Sequence, residues 1–74
     1  MNTNKITWTA GNSTTYLEFA EEAKTVAGAV RAARKWVMEN CPNGEGAVTI
    51  YEDDQPIRKD EKSIRTGGVW KTVK

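Results

Sequence analysis

The stretch from Ala20 to Asn40, AEEAKTVAGAVRAARKWVMEN, decides how the rest of the chain is read. Within it Ala23, Val26, Ala29, Val30, Ala33 and Val37 fall in one arc of about 120° on a helical wheel. Lys24, Arg31, Arg34 and Lys35 lie roughly opposite. This spacing predicts an amphipathic helix whose valines face a sheet and whose positive side chains face water. Thr25 is the favoured N-cap by its hydroxyl, although Glu21 and Glu22 would also suit the positive end of the helix dipole. The run Asn40-Cys41-Pro42-Asn43-Gly44 combines a proline stop with residues that accept left-handed geometry, so the helix is expected to end near Asn40.

On either side of this helix the period changes to two. Ile6 and Trp8 alternate with Thr7 and Thr9, which predicts a first strand over Lys5 to Ala10. Gly11-Asn12-Ser13 reads as a hairpin turn. A second strand is expected from Thr14, with Leu17 and Phe19 on one side and Tyr16 and Glu18 on the other. After the helix, Ala47-Val48-Thr49-Ile50-Tyr51 predicts a third strand with Val48 and Ile50 inward, and Glu52-Asp53-Asp54-Gln55 a turn. Pro56-Ile57-Arg58-Lys59 is expected to be a short fourth strand at an edge or a strand start. Beyond Thr66-Gly67-Gly68, the segment Val69-Trp70-Lys71-Thr72-Val73 is either a fifth strand or a tail whose Trp70 packs back on the domain. The order β-β-α-β-β predicts an α+β fold, a small antiparallel sheet with one helix on one face. A β-grasp-like arrangement, in which the first and last strands pair in parallel, is the rival topology.

The whole chain, residues 1–74, is expected to form a single small domain, with no internal repeat and no linker. A core of this size typically leaves only about 3–5 kcal/mol of net stability. With 38% hydrophobic and 28% charged residues, the composition is that of a folded domain. The formal net charge of +1 gives no strong uniform field of the sort that marks an obligate nucleic-acid or membrane-surface binder. Cys41 is the single cysteine, so no intrachain disulfide forms and the cytoplasm is the expected compartment. Met1-Asn2-Thr3-Asn4-Lys5 has no apolar signal-peptide core, and no run approaches the roughly 18 apolar residues of a membrane span. A soluble protein is expected.

Catalysis usually recruits a group poised near neutral pH, and the chain has no histidine. Cys41 lies at the C-terminal end of the helix, where the dipole raises a thiol's pKa, so a packing role is expected for it. Glu45, Glu52, Asp53 and Asp54 do not follow the alternation of a calcium-binding EF-hand loop and are read as a solvated turn. Gly67-Gly68 and Gly44-Glu45-Gly46 match no phosphate-cradling motif. No enzyme, no cofactor, no metal and no small-molecule substrate are expected.

Two binding readings are left. The first is a protein-interaction module, an accessory or inhibitory protein, that meets a partner chain through a sheet edge, the open sheet face or an exposed Trp70. The same edge would also allow self-association to a homodimer. The second is a nucleic-acid-binding module. Its candidates for phosphate are Lys24, Arg31, Arg34 and Lys35 on the helix, and Lys62, Arg65, Lys71 and Lys74 in a C-terminal segment of local charge +4. Tyr16 and Tyr51, together with Thr7, Thr9, Glu18 and Thr49, are assigned to the sheet face the helix leaves open, where the tyrosines would stack on bases. Trp36 is expected to cover one end of the core.

Overall fold

A computed structural model describes residues 4–73 of the chain. The readings that rest on residues 1–3 and on Lys74 lie outside the described residues. The elements are β1 (Ile6–Gly11), β2 (Glu21–Ala23), α1 (Val26–Asn40), β3 (Gly46–Glu52), β4 (Gln55–Lys62) and β5 (Lys71–Val73), with one-turn 3-10 helices at Pro42–Gly44 and Ile64–Thr66. The five strands form one sheet in the order β2-β1-β3-β4-β5, and every pairing is antiparallel. This is the expected α+β class, with the fifth strand present. The β-grasp-like alternative is overturned: β1 lies between β2 and β3, while β5 pairs with β4, so the first and last strands do not meet.

The helix forms over Val26–Asn40 with the favoured cap, but its pattern begins too early: Ala23, counted in the apolar arc, belongs to β2, and Lys24, counted on the basic face, precedes the cap. Thr25 is extended at φ −140° and ψ 161°, and its Oγ1 accepts a hydrogen bond from the Gly28 amide at 2.9 Å. That satisfies one of the orphan donors of the first turn. At the other end Pro42 prevents continuation, and the Cys41 amide donates to the Val37 carbonyl. Ala29, Val30, Ala33 and Val37 are buried against Ile6, Trp8, Ala10, Val48 and Ile50 of the sheet. Alanine at two of the four helix positions brings the helix close to the strands. Gly46 takes part in the same fit, because a Cβ there would stand 3.0 Å from the Gly11 carbonyl oxygen and 3.2 Å from Val37 Cγ1.

The second strand is where expectation fails. After Gly11 the Asn12 carboxamide oxygen accepts from the amides of Thr14 at 2.8 Å and Thr15 at 2.7 Å. An Asx turn of this kind competes with ladder formation. Only an isolated bridge, Gly11 to Tyr16, and one bond from the Leu17 amide to the Ala10 carbonyl extend the pairing. The chain then leaves the sheet and returns as β2 at Glu21. Leu17 packs on the core, but Phe19 does not share its face and is 79% exposed. Glu18 accordingly lies outside the sheet, and Tyr16 meets it only through the bridge to Gly11.

The fourth strand also differs from expectation. It is eight residues long and internal, with β3 on one side and β5 on the other. The β3–β4 turn has φ 52° at Asp53 and 68° at Asp54, the signs of a two-residue type I′ hairpin. Tyr51 pairs with Pro56 and Ile50 with Arg58, leaving Ile57 as the extra residue of a β-bulge. Pro56 is tolerated because β5 pairs only with Lys59, Asp60 and Glu61, so no ladder bond is asked of the proline on that side. Thr7, expected on the open face, is buried between its cross-strand neighbours Glu22 and Tyr51.

Candidate interaction surfaces

Asp60 organises the helix-facing side of β4. Its register partner is Val48, on the face that packs under the helix, and the carboxylate is wholly buried. Arg34 of α1 reaches it with Nη2 at 2.6 Å and Nε at 3.1 Å. Arg58, two residues back on β4, donates through Nε at 3.0 Å and Nη2 at 3.3 Å. Burial by itself pushes the Asp60 carboxyl up. The hydrogen bonds from Arg58 and Arg34, then Thr72, outweigh it and hold the pKa below the ordinary aspartate value. The Arg34 guanidinium also lies over the Trp70 ring, 5.1 Å from its centroid. Helix, β4 and the start of β5 are thus fastened at one point.

This arrangement redistributes the residues singled out from sequence. Arg34 and Trp70 are brought together, but with each other and with Asp60. Trp70 is half-buried against the core, and Arg34 already has a carboxylate. Lys24, Arg31 and Lys35 are exposed. Lys35 lines a shallow groove with Glu21 and Glu39 beside Leu17 and Trp36, so its charge is interleaved with acids. Arg65 pairs with Glu61 at 3.2 Å, and Lys71 stands opposite Glu61 in the ladder. The hydrogen bond from Ser63, ahead of the nearby Arg65 and Lys59 charges, lowers the Glu61 pKa. Lys62 instead reaches the helix, its Nζ 3.1 Å from Met38 Sδ.

The tyrosines also separate. Tyr51 sits opposite Thr7 on the uncovered face, whereas Tyr16 bridges Gly11, four residues further along β1. Four residues of strand are roughly 13 Å, too far for neighbouring stacked bases to use both rings as one platform. Glu45 is at the opposite end of β3 from Glu52 and Asp53. Those two acids have local partners: Glu52 accepts from Asn4 at 2.8 Å and Asp53 from the Lys5 amide at 2.9 Å. Cys41 is buried, with Sγ 3.7 Å from the Thr15 carbonyl oxygen, and burial raises its pKa.

What the sequence did not disclose is an apolar patch on the uncovered face. Thr49, Pro56, Ile57, Arg58, Lys59 and Val73 line a shallow groove next to Tyr51. Ile57 is 47% and Val73 37% exposed. Strict alternation from β3 assigns Ile57 no such place, because the bulge shifts the phase of the strand from Ile57 onward. The outer edge of β4 from Gln55 to Arg58 has no strand partner among the described residues, since β5 begins to pair only at Lys59. Among those residues no helix is long and apolar enough to cross a membrane. Comparison of the chain with protein-family models, curated proteins and solved structures gives no match.

Proposed function

We propose that this chain is a small non-enzymatic protein-interaction module, acting as an accessory or inhibitory protein. It receives an extended, acidic segment of a partner on the uncovered sheet face beside β4 and β5. The observation that carries this reading is the grouping of Ile57, Pro56 and Val73 around one groove next to the unpaired stretch of β4. Side chains of a bound segment would enter the groove beside the unpaired stretch Gln55–Arg58, where Pro56 has no N–H to give a partner backbone, so side-chain contacts carry the binding. Lys59 and Lys71 stand on the same face, while the Glu61 carboxylate between them is occupied by Ser63 and Arg65. That balance favours carboxylates on the partner.

Selection from a random peptide library displayed on phage tests the reading. Enriched sequences are expected to alternate apolar residues with Asp or Glu, to lose binding to Ile57→Asp, and to keep binding to Phe19→Asp. Failure to enrich any peptide, or enrichment indifferent to Ile57→Asp, would overturn it.

A further inference from the structure

The sheet ends in two unlike edges. β2 reads Glu21-Glu22-Ala23 and β5 reads Lys71-Thr72-Val73, and neither has a strand on its outer side among the described residues. Through the four antiparallel pairings, β2 and β5 run in the same direction. A second copy set beside the first, with the uncovered faces continuous, therefore lays its β2 parallel to the first copy's β5. Glu22, opposite Thr7, and Lys71, opposite Glu61, both stand on the uncovered face. In this arrangement carboxylate meets ammonium.

Pairing like with like gives the reverse. A two-fold antiparallel pair of β2 edges sets Glu22 opposite its own copy, and a pair of β5 edges sets Lys71 opposite Val73, with a second lysine close by and no carboxylate to meet it. Like charges placed opposite in a ladder are destabilising. Charge on an edge strand ordinarily blunts it against association. Here the same charges that blunt each edge against itself suit it to the other. We propose that the protein self-associates head to tail, the β5 edge of one copy pairing with the β2 edge of the next. Such a heterologous contact does not close at two subunits. With three-residue strands it is weak, and its ionic component falls as salt rises.

Sedimentation equilibrium over a wide concentration range, at ~20 mM and ~300 mM salt, reads this directly. The average mass of the full chain is expected to rise past the dimer with concentration at low salt and to fall back towards monomer at high salt. Lys71→Glu and the double variant Glu21→Lys/Glu22→Lys are each expected to associate at least tenfold more weakly, with folded circular-dichroism spectra since all three positions are exposed. An equimolar mixture of the two variants is expected to regain association, because the acidic β5 of one meets the basic β2 of the other. A wild type that remains monomeric at every concentration, a mass that levels at the dimer, or a mixture of folded variants that stays monomeric would each overturn the proposal.

Discussion

Arg34 Nη2 lies 2.6 Å from Asp60 Oδ2, which makes a helix residue and a strand residue 26 positions apart the two ends of one charge pair. The two partners are unequal in their access to water. The Asp60 side chain is fully enclosed, whereas Arg34 and Arg58 keep 32% and 37% of theirs exposed. A stranded arginine can therefore be solvated, and a stranded carboxylate cannot.

From that inequality follows an order of damage. Asp60→Asn removes the charge that lacks water, and its expected cost is about 2–3 kcal/mol, below the range for breaking a fully buried pair because the arginines are partly screened. Arg34→Met with Arg58→Met leaves the carboxylate alone and is expected to cost more, enough to unfold much of a population whose whole stability is roughly 3–5 kcal/mol. Urea unfolding of the two variants checks the order. Equal midpoints, or a more stable double variant, would show that Asp60 is not held by this pair.

The same pair sets a pH dependence. Asp60 titrates below its unfolded value in the folded protein, so its contribution is complete above the unfolded aspartate pKa of about 3.9 and disappears as pH falls through the lower folded value. Glu61, also lowered, acts in the same direction. Urea midpoints are expected to agree between pH 7 and 5 and to drop below about pH 4. In Asp60→Asn that drop is expected to be shallower.

With Arg34 committed to Asp60, Arg31 and Lys35 on the helix and Lys24 just before its cap are offered to phosphate, with Glu21 and Glu39 beside Lys35. Short single-stranded and duplex oligonucleotides are therefore expected to show no binding at about 0.1 M salt. Fluorescence anisotropy measures this. Affinity that is lost on charge reversal at Arg31 and Lys35 would install the nucleic-acid reading in place of the one proposed.

How much of this was legible in the sequence depended on whether the signal was local. The helix cap at Thr25, the stop at Pro42, the inward Val48 and Ile50 and the Asp53-Asp54 turn are all set by neighbours within a few residues. The false strand from Thr14 to Phe19 has the alternation of a real one, and only the side chain of Asn12, folding back on two amides, diverts it. In β4 the run QPIRKDEK is polar from Arg58 onward, and a single bulge residue, Ile57, decides which of its residues face the helix. Asp60 therefore could not be recognised as buried without its partners. A hint did exist for Arg34: it is four residues after Val30 and three before Val37, which places it at the margin of the buried arc and not on the outer face.

The hairpin at Asp53-Asp54 invites a stabilising change. Both residues hold positive φ, a conformation costing a residue with a Cβ roughly 1 kcal/mol or more. Asp53 has a use, because its Oδ1 accepts from the Lys5 amide, so Asp54 is the position to alter. Asp54→Gly is expected to raise stability by about 0.5–1 kcal/mol, the relief of the left-handed strain exceeding glycine's entropy in the unfolded chain. A lower thermal midpoint would mean that the Asp54 side chain contributes something the turn geometry does not show.

Ile50 and Phe19 separate core from decoration. Both are large apolar residues that alternation in the sequence assigns to a buried face, yet Ile50 is 0% and Phe19 79% exposed. Ile50 lies opposite Trp8 on β1 and Arg58 on β4 under the helix, so trimming one methyl removes contacts that nothing replaces. Ile50→Val is expected to cost about 0.5–1.5 kcal/mol, and Ile50→Ala about 2–5 kcal/mol, which would leave little folded protein. Phe19→Ala, on a loop that left the sheet after Leu17, is expected to change stability by less than about 0.5 kcal/mol. Denaturation midpoints of the three variants decide the matter: a Phe19→Ala loss as large as that of Ile50→Val would return the Thr14–Phe19 segment to the sheet and restore the hairpin that the alternation predicts.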